Sequence, residues 1–298
     1  MKFLNFGSLN RDLVYTVVHA VRPCETLDST RMEEFCGGKG LNQSLALARA
    51  GATVFHAGCV GADGGRLRDM LTQNGVDTRY LREVDSPSGH AVIQLDSTGQ
   101  NSILLFGGAN RRVTREHIDT VLADFSASDS LGLQNEISEI PYLIEVASRR
   151  GMRVIFNPSP FPTEWESWSL DRVTHFVVNE IEGTELTGEN QPEAILDVMR
   201  RRFPAACTLL TLGCRGSVYD DGDRRHYADC VTVPVVDTTG AGDTFLGYFF
   251  AHLYTRGPDV ALQLASAAAG LAVSVKGAAN AIPTQVRVEN FCKGKNEQ

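Results

Sequence analysis

At 298 residues the chain is long enough for one large domain or two small ones, with a full hydrophobic core in either case. Lys and Arg number 28 against 36 Asp and Glu, a formal net charge of −8 that disfavours nonspecific binding to nucleic acid or an anionic membrane surface while leaving room for a local basic pocket. The 43% apolar and 21% charged content is that of an ordinary globular protein.

The opening run Met1–Gly7 is too short and interrupted for a signal peptide and reads as a first strand. Further apolar runs at 54–60, 130–133, 153–157, 175–179 and 208–212 predict strands. Between them, helical spacing predicts helices over 41–50, 65–73, 115–125, 140–149, 192–203, 243–254 and 259–275. Such alternation predicts an α/β sandwich on a mostly parallel sheet, with ligands beyond the carboxyl ends of its strands. Two early regions break the rhythm: 13–18 with 31–36, and 91–95 with 102–106 joined by the turn Asp96-Ser97-Thr98-Gly99-Gln100. Lacking intervening helices, they read as hairpin-like strands outside the βαβ core; a plain surface insertion is the bland alternative. The run Ala261 to Val275 contains Gln263, Ser266 and Ser274 and falls short of the ~20 residues of a membrane span, so it reads as a buried helix. The tail 293–298 is polar and is expected to fray.

Seven cysteines are scattered without a C-x-x-C pair, which fits reduced thiols in the cytoplasm better than a disulfide framework or zinc site. Cys36 reads as a buried structural thiol. The seven histidines show no metal-ligand spacing.

Polar residues gather at the predicted strand ends. After the first strand, Gly7-Ser8-Leu9-Asn10-Arg11-Asp12 sets an amide and a carboxylate two apart, able to bind adjacent hydroxyls or to form a plain Asx turn. Gly37-Gly38-Lys39-Gly40-Leu41-Asn42-Gln43 leads into a helix, and its glycines let a ligand touch main chain. Leu133-Gln134-Asn135-Glu136 ends another strand, and Asn157-Pro158-Ser159-Pro160 is a strand-end turn. Asn179-Glu180-Ile181-Glu182 is either a helix start with acidic residues in its first turn or a magnesium element, since Mg²⁺ keeps its waters and needs only one or two carboxylates. In Thr211-Leu212-Gly213-Cys214-Arg215-Gly216 a hydroxyl, glycine amides and a guanidinium could face phosphates, or the glycines could make a hairpin turn.

Val231-Thr232-Val233-Pro234-Val235-Val236 is β-branched and extended in character, an edge or irregular strand because of Pro234. Then comes Asp237-Thr238-Thr239-Gly240-Ala241-Gly242-Asp243-Thr244-Phe245, whose small residues open a helix where backbone N–H groups are unpaired. Asp243 is either an N-cap or a general base beside an anion hole. Phe245 occupies the place of the third glycine of a dinucleotide fingerprint, and no G-x-x-x-x-G-K-[ST] occurs, which excludes both of those phosphate motifs.

The run 237–245 closely resembles the nucleotide-site signature of ribokinase-like carbohydrate kinases, the phosphofructokinase B family. The other motifs follow in family order from Gly7 to Pro283. The resemblance implies a ribokinase-like three-layer α/β sandwich, residues 1–298 as a single domain, with a small β-sheet lid from about 11–36 and 89–107. It implies an ATP-dependent kinase of a pentose primary hydroxyl, D-ribose to ribose 5-phosphate being the leading case. Nucleoside, pseudouridine and ketose kinases are the alternatives, and a non-catalytic sugar sensor a distant one.

Asp243 is then the catalytic base, and Gly240, Ala241 and Gly242 the anion hole. Asn10, Asp12, Gly38, Lys39, Asn42 and Glu136 are implied on the sugar side, with a solvated side chain as the plain reading of Lys39. Asn179, Thr211, Gly213, Arg215, Gly216, Gly242 and Ser266 are implied at the nucleotide. Glu182 is implied for Mg²⁺ through water. Asp237, Thr239, Ala272, Val275 and Gly277 are implied around a monovalent cation, K⁺ in activated relatives, although Ala281 stands where ribose-specific members offer a serine hydroxyl. A homodimer through the lid, with no nucleic-acid or membrane partner, completes the expectation.

Overall fold

The computed structural model describes residues 1–96, 100–161 and 164–296. Ser97-Thr98-Gly99 of the expected turn, and the last two residues of the tail, lie outside them.

The chain begins with β1 (Phe3–Phe6), β2 (Asn10–Thr16), β3 (Arg31–Gly37), α1 (Lys39–Arg49), β4 (Val54–Val60), α2 (Gly65–Gln73) and β5 (Asp77–Glu83). A second excursion, β6 (Gly89–Leu95) and β7 (Asn101–Phe106), precedes α3 (Arg115–Leu122), β8 (Ser130–Gln134), α4 (Ile140–Arg149) and β9 (Arg153–Asn157). The next stretch carries β10 (His175–Asn179), α5 (Glu180–Thr187), α6 (Pro192–Arg202) and β11 (Cys207–Thr211). The hairpin β12 (Ser217–Asp220) and β13 (Arg225–Ala228) follows, and α7 (Ala241–Arg256), α8 (Pro258–Val273) and α9 (Gln285–Asn296) close the fold.

The large sheet has the order β13-β12-β11-β10-β9-β8-β1-β4-β5, parallel from β11 through β5 and antiparallel only at the β12–β13 edge. Strand order reverses at β1, between β4 and β8, so the loop after β1 opens onto a crevice at the carboxyl ends. Side chains alternate across these strands: Phe3 joins a core with α1, α2, α7, α8 and α9, whereas Leu4 and Phe6 join one with α3, α4 and α6. Helices on both faces of a parallel sheet make the three-layer sandwich that the alternation predicts.

The two irregular regions form a separate four-stranded sheet, order β3-β2-β6-β7, made of two antiparallel hairpins joined by the parallel β2–β6 pair. At its root Asn10 pairs with Gly37 on one side and Gly89 on the other. The small sheet therefore springs from the same crevice.

Two readings change. Residues 231–236 form no strand; they run as irregular backbone beside the end of α8, where Val236 N–H donates to the Val273 carbonyl at 2.8 Å. Pro234 has no N–H for a ladder, and β13 ends at Ala228, leaving the segment free to line a cleft instead. And Asp243 is not an N-cap: α7 starts two residues before the predicted helix, behind Gly240 at φ 74°, and no side chain caps it. The left-handed conformation at the cap suits glycine.

Candidate functional site

The N-termini of α1 and α7 meet, and Asp243 lies between them. Its Oδ2 accepts from Asn42 Nδ2 at 3.0 Å and its Oδ1 from Gln43 Nε2 at 2.9 Å. Burial pushes the carboxyl upward, an effect opposed by the Lys39 charge and by the two amides. Ala241 N–H leans on the Thr238 carbonyl at 3.3 Å, whereas the N–H groups of Gly240, Gly242 and Asp243 have no acceptor among the described residues. The open main-chain donors at this helix start are thus Gly240, Gly242 and Asp243 itself, with Ala241 partly engaged. A buried carboxylate beside three open donors can take a proton from one oxygen while an anionic group is held next to it.

Asn10, Asp12, Gly38, Lys39 and Glu136 converge on the crevice after β1. Asn10 is buried, and its Oδ1 accepts from Asn110 Nδ2 at 2.8 Å, so its own amide nitrogen is free to donate. Burial, and then the neighbouring Glu136, push Asp12 up to about 7. Burial also raises Glu136, although Lys39 and hydrogen bonds from Ser8 Oγ and Lys39 N–H pull the other way. Gly38, at φ 93°, would put a Cβ only 3.0 Å from Asn10 N. Lys39 is not simply solvated: burial works against its charge, but Asp243, Glu136 and Glu182 outweigh it and raise its pKa. Its ammonium therefore stays charged in the field of three carboxylates. Asn42, by contrast, spends its amide nitrogen on Asp243, and its buried Oδ1, which has no partner among the described residues, remains for a ligand.

On the other side of Asp243 lies a cleft of about 550 Å³, lined mostly by apolar groups. Thr211, Gly213, Gly216, Gly242 and Ser266 of the predicted nucleotide residues all line it, as does the irregular run around Val233. Two predicted members do not. Arg215 points to solvent and pairs with Glu180, and Asn179 caps α5, accepting from Glu182 N–H at 2.9 Å. Glu182 answers that cap: its Oε2 accepts from Asn179 N–H at 3.0 Å. Its Oε1 has no partner among the described residues and is not sealed from solvent, so it is open to a ligand near Lys39.

The predicted cation loops do meet. Asp237 Oδ1 accepts from Thr239 N–H and Oγ, and Oδ2 accepts from Gly277 N–H at 2.9 Å. Burial opposes its charge, but these donors outweigh it and hold the carboxyl below its ordinary range. Val275 N–H donates to the Ala272 carbonyl at 3.1 Å. Among the described residues no group of three or more His, Cys, Asp or Glu is arranged to hold a metal ion.

Sequence reasoning missed Gln43, Gln134, Asn110 and Ser8 as site residues. A signal existed for one of them: Gln134, like its partner Asn5, is a polar residue in an otherwise apolar strand, and buried polar groups are more informative than exposed apolar ones. Nothing in the sequence singles out Asn110, which reaches Asn10 across 100 residues.

The pfkB family carbohydrate kinase model matches residues 2–285. Over 293 residues the chain is 35% identical to the ribokinase of Bacillus subtilis, covering 96% of this chain and 97% of that protein. Over 295 residues it is 32% identical to the ribokinase of Haemophilus influenzae, covering 96% of both. The structure of Arabidopsis thaliana ribokinase complexed with ribose and ATP superposes with a TM-score of 0.86 at 29% identity, over 98% of each chain.

Proposed function

Since the chain belongs to the pfkB family of carbohydrate kinases, we propose that it transfers the γ-phosphoryl group of ATP to the primary hydroxyl of a pentose, D-ribose giving ribose 5-phosphate. The observation that carries this reading is the position of Asp243, between a crevice rich in hydroxyl-binding groups and an apolar cleft that opens onto unpaired main-chain donors. Asp243 accepts the proton of the attacking hydroxyl, and burial makes it a stronger base than an exposed carboxylate. The N–H groups of Gly240, Gly242 and Asp243 hold the phosphoryl oxygens, and Lys39 adds a positive charge where negative charge gathers. Apolar walls around Val233 and Phe245 suit a purine base. The small sheet, rooted at Asn10, Gly37 and Gly89, acts as a lid that excludes water, which would otherwise compete as acceptor.

Mg²⁺ would be held through water by Glu182, whose Oε1 is free to accept, and would supply charge neutralisation at the phosphates. A monovalent cation fits Asp237, since three donors leave about one of a carboxylate's four lone-pair sites unused; carbonyls from the 272–277 loop would complete its ligands. The test is a panel of ribose, 2-deoxyribose, fructose, pseudouridine and nucleosides with ATP and Mg²⁺, following ADP release in K⁺ and in tetramethylammonium buffers. Ribose is expected to give the highest kcat/KM, and K⁺ a faster rate. A nucleoside or ketose preferred over ribose overturns the substrate, and equal rates in the two buffers overturn the cation.

Asp12 gives the sugar a pH dependence with a definite sign. Below about 7 it is protonated, and above it the carboxylate accepts from sugar hydroxyls. The KM for sugar is therefore expected to fall several-fold between about pH 6 and 8 and to lose that slope in Asp12→Asn. A slope that persists in the variant assigns the titration elsewhere.

The lid is also proposed as a dimer interface. Edge strand β7 exposes Ile103, Leu104, Leu105 and Phe106, a run of apolar side chains that a lone edge strand ordinarily avoids. Sedimentation is expected to give twice the chain mass for the native protein and the single mass for Leu104→Glu; a native monomer at micromolar concentration contradicts the proposal. No helix among the described residues is long and apolar enough to cross a membrane, and a cytoplasmic location is proposed.

A further inference from the structure

A line of buried amides runs away from Asp243 beneath the site. Gln43, which donates to Asp243 through Nε2, accepts at its Oε1 from Gln134 Nε2 at 2.6 Å. Gln134 Nε2 also donates to Asn5 Oδ1 at 2.9 Å, and Asn5 Nδ2 donates to the Gly40 carbonyl and to Ser44 Oγ. Ser44 Oγ lies 2.8 Å from His56 Nδ1, and burial pushes that imidazole down to about 4, so it is neutral and Nδ1 accepts the hydroxyl proton. Gln43, Gln134, Asn5, Ser44 and His56 are all buried, and Asn5 sits beside His56 in the β1–β4 register.

The direction of every bond in this line follows from its far end. A backbone carbonyl only accepts, so Asn5 must present its nitrogen to Gly40 and its oxygen to Gln134. Gln134 must then present its nitrogen, Gln43 its oxygen, and Gln43 is left with its nitrogen toward Asp243. A carboxylate only accepts, so the near end agrees with the far one. Turned the other way, Gln43 would face the charged carboxylate with its oxygen.

We propose that Gln134 and Asn5 are positioning residues for the reaction: through Gln43 they fix which way an amide faces Asp243 and keep its carboxylate oriented. This rests on the reading of Asp243 as the base and deepens it. The hydrogen bond from Asn42 to Asp243 remains in variants of this line, and Gln134 and Asn5, both buried, act on the base without touching substrate.

The test is a pH profile. In Gln134→Met, Gln43 Oε1 loses its donor, and the amide is held only through its nitrogen, by Asp243 and, at 3.4 Å, by Asn157 Oδ1. The acid limb of kcat/KM is expected to move up by about one pH unit, because the donor that favours the charged carboxylate is then less firmly held. kcat is expected to fall about ten- to hundred-fold with the KM for sugar and ATP little changed. Gln134→Glu, of the same shape, serves as the second variant; above the pKa of its carboxyl it cannot donate to Gln43 and is expected to show the same deficit, which protonation at lower pH relieves. A native-protein measurement accompanies both. The side-chain amide resonances of Gln43 and Gln134 are expected to titrate together with Asp243 in ¹⁵N-labelled enzyme and to stop titrating in Asp243→Asn.

If Asp243→Asn lowers kcat by about 10²–10⁴-fold while Gln134→Met keeps the native pH profile, or if the two amides do not titrate with Asp243, the positioning role is wrong and the base stands. If Asp243→Asn retains most of its activity, the base itself is wrong. Both failures are therefore recognisable separately.

Discussion

Asp243→Asn is expected to lower kcat by about 10²–10⁴-fold while ATP and sugar bind within about two-fold of their native affinities. The asparagine has nearly the shape of the aspartate, so the packing between the first turns of α1 and α7 survives. Its amide oxygen can still accept one bond from Asn42 or Gln43, but it cannot accept the hydroxyl proton. The main-chain donors of Gly240, Gly242 and residue 243 are unchanged by the substitution, which is why residual turnover is expected rather than none. Single-turnover kinetics separate this from a binding loss: the chemical step should slow and the burst disappear. A variant with more than about a tenth of the native rate would leave the carboxylate without a chemical role.

Gly247→Val is the second substitution with a large expected effect, and it acts through distance. Gly247 lies one turn along α7 from Asp243, and Ala46 and Leu47 lie one turn along α1 from Asn42 and Gln43. A Cβ at 247 would fall 2.3 Å from Ala46 Cβ and 2.8 Å from Leu47 N, so the two helices must separate to admit any side chain. Overpacking of this kind costs about 1–3 kcal/mol in stability. The same separation carries Asp243 away from its two amides, and a displacement of about 1 Å at a reacting group can cost roughly 10²-fold in rate. Thermal unfolding and kcat measured on one preparation are therefore expected to fall together. Native melting temperature and native kcat in Gly247→Val would mean that the helix contact does not set the geometry of the site.

How much of this was legible beforehand depends on the kind of signal each element carries. Strands β1, β4, β8, β9, β10 and β11 are apolar runs between helical patterns, and burial on both faces is what makes such runs readable. Edge strand β5, with Asp77, Arg79, Arg82 and Glu83, carries no such run, and was missed because one side of it is exposed to water. The hairpin β12–β13 was missed for want of length, each strand having four residues, and α5 was legible only as the helix-start reading of Asn179–Glu182, because it owes its start to a capping box rather than to an apolar stripe. Val231–Val236 misled in the opposite direction, since its β-branched residues line a cleft rather than a sheet.

At the site, strand-end motifs and glycine loops pointed to the crevice because topology forces loops to gather there. The contacts among Asp243, Asn42 and Gln43 were invisible, since they join residues 200 apart through two helix ends. Arg215 illustrates the limit of reading charge: a guanidinium next to a glycine turn suggested a phosphate, yet Glu180 on the neighbouring helix claims it. Lys39 illustrates the reverse. Nothing in its loop predicts that three carboxylates from separate elements would surround it.

The central claim is that one buried carboxylate meets the sugar's primary hydroxyl beside main-chain donors that hold the transferring phosphoryl group. A crystal structure of the protein with ribose and a non-hydrolysable ATP analogue tests it most directly. The account predicts the ribose primary hydroxyl about 2.6–3.2 Å from an Asp243 carboxylate oxygen, with γ-phosphoryl oxygens against the Gly242 and Asp243 N–H groups. Ribose bound with that hydroxyl out of reach of Asp243, or phosphates seated away from the start of α7, would contradict it.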